Sequence, residues 1–252
     1  MGGICPPHQT KGNIYIMTAA KIDRRIKYRL VLDTETCPLD RTTTAVIPSN
    51  MFTYDIGWAI VDKRGKVYLS RSYVCADIFL HEKALMKSAY YAEKIPLYWH
   101  EIKSGKRELK KWYNIKRILW DDITTYNITE VYAHNMRFDY GTVNNTERWL
   151  TKSKYRYFLP FGLDICDTLK MARSVIGKMP TYRKFCIENG YMTKNNQLRF
   201  TAEILYRFIT KNNDFNESHT GLEDVMIEKE IMAYCYKQHK PMKKLLWEKE
   251  AK

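Results

Sequence analysis

Apolar positions along this chain change their period from place to place, and the changes mark the elements. Tyr28 to Asp33 (YRLVLD) is a short apolar run ending on polar residues, the pattern of a buried strand. Residues 54–62 (YDIGWAIVD) and 66–74 (KVYLSRSYV) flank Lys63-Arg64-Gly65, and two β-rich runs around a short glycine-containing turn predict a hairpin. Beyond residue 77 the period lengthens. Leu109, Trp112, Ile115, Ile118, Leu119 and Ile123 recur at three- and four-residue steps, which predicts an amphipathic helix. The stretch 82–108, with Pro96 and Gly105, has no clear period and reads equally as an inserted lid or a helical connection. Residues 129–134 (TEVYAH) predict another strand, with a helix over 139–151. Leu163 to Cys166 predicts a fifth strand, with a helix over 167–176 stopped at Gly177. Further helices are expected at 181–189, 200–210 and 221–238, with Gly190 and Pro241 as stop signals. A run of strands followed by alternating helices and strands implies an α/β layered domain on a mixed sheet. Residues 1–26, with Gly2-Gly3, Pro6-Pro7 and a polar end, read as a loose N-terminal extension. The domain is expected over 27–240, with an elaborated region at about 77–126 and a C-terminal tail at 241–252.

Composition narrows the class. With 252 residues and 45% hydrophobic content the chain can bury a full core. Lys plus Arg is 42 against 28 for Asp plus Glu, a formal charge of +14, which favours a polyanionic partner. There are 19 Tyr and 6 Trp, and runs such as Lys110-Lys111-Trp112-Tyr113 and Lys152-Ser153-Lys154-Tyr155-Arg156-Tyr157 interleave aromatics with cations, as base stacking beside phosphate contacts requires. None of the six cysteines is spaced for a zinc finger, and they read as free thiols of a reducing cytosol. No apolar run approaches the roughly 20 residues of a membrane span, so no membrane association and a cytoplasmic location are expected. The small, basic, tyrosine-rich chain suggests a phage or mobile-element protein.

Three short islands carry the chemistry. In Leu32-Asp33-Thr34-Glu35-Thr36, strand alternation puts Asp33 and Glu35 on one face, where two carboxylates can share a metal. In Tyr132-Ala133-His134-Asn135-Met136-Arg137-Phe138-Asp139, a strand runs through a loop into a helix, and Asp139 lies at its start, where the macrodipole favours an anion. In Ser218-His219-Thr220-Gly221-Leu222-Glu223-Asp224, Thr220 and Glu223 have capping-box spacing, which fixes Asp224 just inside a helix and leaves His219 before it on mobile backbone. Each island alone has a plain reading: a solvated strand end, a first-turn Asp, a surface His beside a helix. Taken together they supply four carboxylates, which would repel one another if they converged without cations between them. A histidine of ordinary pKa beside them can accept a proton near neutral pH.

The order Asp-x-Glu, Asp, His-x4-Asp resembles the DnaQ-like 3′–5′ exonucleases of the DEDDh subgroup, within the ribonuclease H-like superfamily, over roughly residues 28–238. The resemblance implies a five-stranded mixed sheet, three antiparallel strands then two parallel, flanked by helices. It implies two Mg²⁺ or Mn²⁺ ions, one held by Asp33, Glu35 and Asp224, the other by Asp139 with Asp33, and His219 as general base. Residues around Thr34, Thr36, Asn135 and Phe138 would grip the 3′-terminal nucleotide of single-stranded DNA or RNA, with release of nucleoside 5′-monophosphates. A homodimer or a replication-protein partner is compatible with the family. The competing reading is a non-catalytic nucleic-acid-binding or polymerase-associated protein on the same scaffold, for which the positive charge would suffice.

Overall fold

The computed structural model describes residues 22–39, 48–217 and 219–247. Among these, six strands form one mixed sheet: β1 (Arg29–Pro38), β2 (Met51–Val61), β3 (Val67–Cys75), β4 (Glu108–Lys110), β5 (Glu130–Ala133) and β6 (Asp164–Asp167). Their spatial order is β4-β3-β2-β1-β5-β6. β1, β2 and β3 pair antiparallel, whereas β5 and β6 continue the sheet parallel to β1. The expected five strands are all present. The sixth, β4, adds in parallel to the outer edge of β3. Its three residues are too few to show an alternation, so nothing in the sequence announced it.

Between β3 and β5 the chain forms α1 (Ala76–Phe79), α2 (Lys83–Met86), α3 (Ile95–Lys103) and α4 (Trp112–Thr125). Then α5 (Met136–Thr151) joins β5 to β6, and α6 (Thr168–Val175), α7 (Pro180–Glu188), α8 (Ala202–Thr210) and α9 (Gly221–Lys237) follow. No helix among the described residues is long and apolar enough to cross a membrane.

Strand alternation divides the core in two. Leu30 and Leu32 of β1 with Ile56, Trp58 and Ile60 of β2 face one cluster, which includes Trp112, Ile115 and Leu119 of α4 and Val143 of α5. Val31 of β1 with Ala59 and Val61 of β2 face the other, built on α6 to α9. The sheet is thus covered on both sides, which explains why β2 is buried throughout rather than on alternate residues. All five described cysteines are buried and free.

Both expected ends of the domain extend further than the sequence suggested. Residues 1–21 lie outside the described residues, but Ile22 and Ile26 pack on the core. At the C-terminal end Leu246 is buried, its N–H donates to Ile165 O at 2.8 Å, and Lys244 O accepts from Asp167 N at 2.7 Å. The segment through residue 247 therefore lies along β6 as part of the fold.

One contact sets the position of α9. A Cβ on Gly57 of β2 would lie 2.4 Å from the Leu222 nitrogen, and one on Gly221 would lie 2.8 Å from the Gly57 nitrogen. Helix and strand backbones touch, and only glycine fits on either side. Gly57→Ala is expected to destabilise the fold by about 1–3 kcal/mol, because the added methyl meets backbone that cannot rotate away. Urea midpoints measure this, and a Gly57→Ala midpoint equal to that of the wild type would refute the close-approach argument.

Candidate active site

Asp33, Glu35, Asp139, His219 and Asp224 line one open cleft of about 290 Å³, where β1 meets the start of α5 and the start of α9. Carboxylate oxygens of Asp33, Glu35 and Asp224 lie within 4.8 Å of one another, as do ligand atoms of Glu217, His219 and Asp224. The two strand residues look toward α9, and Asp139 arrives from α5 on the opposite side of the sheet. The cleft is therefore assembled around the edge of β1 from both layers of helices.

Each carboxylate is positioned by a specific device. Asp139 sits in the first turn of α5, where Thr34 Oγ1 donates to its Oδ1 at 2.8 Å. Asn135 opens α5 in the left-handed region, φ 64°, which asparagine tolerates better than most residues. Its N–H donates to Asp167 Oδ1 at 3.2 Å. Asp224 is held because α9 itself is held. Gly221 N–H donates to the buried Asp55 Oδ2 at 3.1 Å, and Tyr98 Oη donates to the same oxygen at 2.6 Å. Arg107 ties Asp55 to Glu101 and, at 3.1 Å, to Glu223.

This network corrects the expected capping box. Thr220 is the N-cap, but its side chain accepts no helix N–H. Its hydroxyl instead donates to the Glu223 carboxylate, which also faces Arg107. The Asp55 carboxylate, from a strand 166 residues away, meets the first N–H of the helix in its place.

The mobile His219 is corrected as well. Its backbone is left-handed, φ 51°, and its ring stacks on Tyr91 with centroids 4.5 Å apart and planes 13° from parallel. Glu217 Oε2 lies 3.8 Å from its Nδ1, and Lys94 Nζ donates to its carbonyl at 3.3 Å. Tyr91 and Lys94 belong to the elaborated region at 77–126, which thus reaches into the cleft.

Of the expected substrate contacts, Phe138 and Asn135 line the cleft, half-buried and exposed respectively. Thr34 lines it too, but its hydroxyl is engaged by Asp139. Thr36 is not brought to the cleft: it is buried beyond a register shift that separates it from Glu35. His134 is a structural histidine, hydrogen-bonded to Phe200 O at 2.7 Å and to Thr168 Oγ1 at 3.0 Å. Glu217 and Glu228 line the cleft and were not anticipated. Glu228 lies four residues after Asp224, a helical spacing that places both on one face of α9.

Burial pushes every carboxyl of the set above its ordinary range. Glu35 rises to about 9, with Asp224 and Asp55 adding repulsion, and Asp224 rises to about 8 beside Glu217. Asp139 is pushed to about 7 by burial, against the pull of the Thr34 hydroxyl. Asp33 and Glu228 are also raised, by burial and then by neighbouring carboxylates. His219 moves the other way: burial and the Lys94 cation lower its pKa, leaving the imidazole neutral near pH 7. Asp224 Oδ1 and Glu228 Oε2 are buried without a hydrogen-bond partner among the described residues. Buried carboxylate oxygens that lack donors and crowd one another fit hard divalent cations such as Mg²⁺ or Mn²⁺.

No protein-family model matches the chain, and no curated protein does. Its fold is similar to that of solved exonuclease I structures. One is an exonuclease I from Methylocaldum szegediense, at TM-score 0.52 and 13% identity over 84% of this chain and 41% of that one. Another is E. coli exonuclease I in complex with a dT13 oligonucleotide, at TM-score 0.50 and 12% identity over 86% of this chain and 41% of that one. The chain thus spans less than half the length of either. At this identity the likeness is one of architecture: a mixed sheet of antiparallel and parallel strands between helices, the ribonuclease H-like fold.

Proposed function

We propose that this protein is a metal-dependent 3′–5′ exonuclease acting on single-stranded nucleic acid, of the DEDDh type. The observation that carries the reading is the convergence of Asp33, Glu35, Asp139, His219 and Asp224 in one cleft, from three elements and from positions as far apart as 33 and 224. The fold shared with exonuclease I supports it, and the dT13 complex of the E. coli protein favours single-stranded DNA as substrate.

In this reading Asp33, Glu35 and Asp224 hold one divalent ion, and Asp33 with Asp139 a second. When bound, such a pair supplies an activated water and neutralises charge on the phosphate and the leaving oxygen. The protein's own groups do the rest. His219, neutral near pH 7, accepts the proton of the attacking water, while Tyr91 holds the plane of its ring and Glu217 faces its Nδ1. Phe138 and Asn135 flank the mouth, where an aromatic face can stack on a terminal base and an amide can meet its sugar or phosphate.

Incubation of 5′-labelled oligonucleotides with Mg²⁺ or Mn²⁺ is expected to give a progressive ladder on a denaturing gel, abolished by EDTA and by Asp33→Asn. Intact DNA and RNA after incubation, with binding retained, would instead favour the non-catalytic reading, and cleavage of circular strands would indicate an endonuclease. His219→Ala should slow hydrolysis by about 10²–10⁴-fold while still binding the strand. An unchanged rate would remove His219 as the base.

The cleft also predicts a pH dependence of stability in the metal-free protein. Folded Glu35, Asp224 and Asp139 keep protons up to about 9, 8 and 7, far above the ordinary carboxylate range they would show when unfolded. The folded state therefore binds more protons across this window, and stability must fall as pH rises through it. Urea midpoints in EDTA should drop between about pH 5 and about pH 9, and millimolar Mg²⁺ should flatten the slope. Midpoints that climb over this range in EDTA would contradict the assignment.

A further inference from the structure

We propose that Glu228 is a ligand for the second divalent ion, so that this ion is held from β1, α5 and α9 together rather than from β1 and α5 alone. The inference rests on the reading of the cleft as a divalent-cation site and adds a residue to it. Glu228 is 3% exposed and lines the cleft. The carboxyl accepts a backbone hydrogen bond from His134, but its Oε2 has no hydrogen-bond partner among the described residues and is left for another ligand. No described ion pair includes Glu228, whereas the next two residues, Lys229 and Glu230, pair with each other. Among the charges around it Asp139 bears on Glu228 most strongly, and Glu228 is in turn the strongest carboxylate neighbour of Asp33. It lines the same cleft as Asp33 and Asp139, one helical turn, about 6 Å along the axis, beyond Asp224. A carboxyl buried beside others either keeps a proton, as in the metal-free cleft, or shares a cation with them, and a divalent ion is the partner that the other carboxylates of the cleft also fit.

The test is a Mn²⁺ titration of the full chain without nucleic acid, followed by calorimetry and by the electron paramagnetic resonance signal of free Mn²⁺. The wild type is expected to bind two ions. Glu228→Gln, which keeps the shape and removes the charge, should weaken one binding event by about tenfold or more and leave the other, since affinity at such sites follows the number of charged ligands. Asp139→Asn should weaken the same event, and the double variant should lose little beyond either single one, because both ligands serve one ion. Two unchanged events in Glu228→Gln, or losses that fall on different events in the two single variants, would overturn the assignment while leaving the exonuclease reading in place. A wild type that binds no Mn²⁺ would remove the cation site itself, and Glu228 with it. Folding of each variant is read from its metal-free urea midpoint, which should equal or exceed that of the wild type because a buried repulsion has been relieved.

Discussion

The contact between Gly57 and Gly221 is the constraint on which the rest of the site depends. Side chains normally hold a helix 8–10 Å or so from what it packs on. Here backbone meets backbone, and the first turn of α9 drops onto β2 with its leading N–H aimed at Asp55. Only from that height does Asp224 come within reach of Asp33 and Glu35 on the neighbouring strand. Asp55 would be costly if it were isolated in the core, but Arg107, Tyr98 and the Gly221 N–H surround one of its oxygens. The buried charge is thus not a defect tolerated near the site. It is the anchor that fixes where α9 begins, and β4 and α3 exist largely to deliver Arg107 and Tyr98 to it.

The electrostatics of the molecule are arranged in opposition. The chain carries a formal charge of +14, yet its cleft concentrates carboxylates from β1, α5 and α9, with the Lys94 cation offsetting the upward shift of Glu35 and Asp224. A polyanion drawn to the basic surface would be repelled at the cleft. In the proposed function, divalent ions would resolve the conflict, satisfying the carboxylates on one side and a phosphate on the other.

Much of this was legible in the sequence, and the exceptions have physical reasons. The three- and four-residue period of α4 and the apolar runs of β1 and β2 appear where the pattern puts them, because burial on one face writes a period and burial on both faces writes a continuous run. β4 and α1 to α3 are too short to write one. The residues of the three islands did converge, since the strand, loop and helix contexts of Asp33, Asp139 and Asp224 were each readable locally. What could not be read was any partner supplied from afar: Asp55 replacing Thr220 as the cap, or Tyr91 stacking on a histidine 128 positions away. Glu228 is an intermediate case. Its four-residue spacing from Asp224 was visible, but within Ile227-Glu228-Lys229-Glu230 it resembles the solvated face of a charged helix, and only burial distinguishes it.

Tyr91 changes the meaning of the region between β3 and α4. A histidine on a flexible lead-in would have to find its position at every turnover. Here the ring is already pinned between an aromatic face and a carboxylate, and Lys94 closes the arrangement by binding both the His219 carbonyl and the Tyr91 ring. The same lysine lowers the histidine's pKa, so positioning and protonation state come from one side chain. α3 is tethered independently, through Tyr98 to Asp55 and through Glu101 to Arg107. The two tethers meet at the start of α9, one at Gly221 and the other at His219. A shift of this inserted region would therefore disturb His219 and the helix that carries Asp224 together, which makes it part of the site's framework rather than a decoration on its edge.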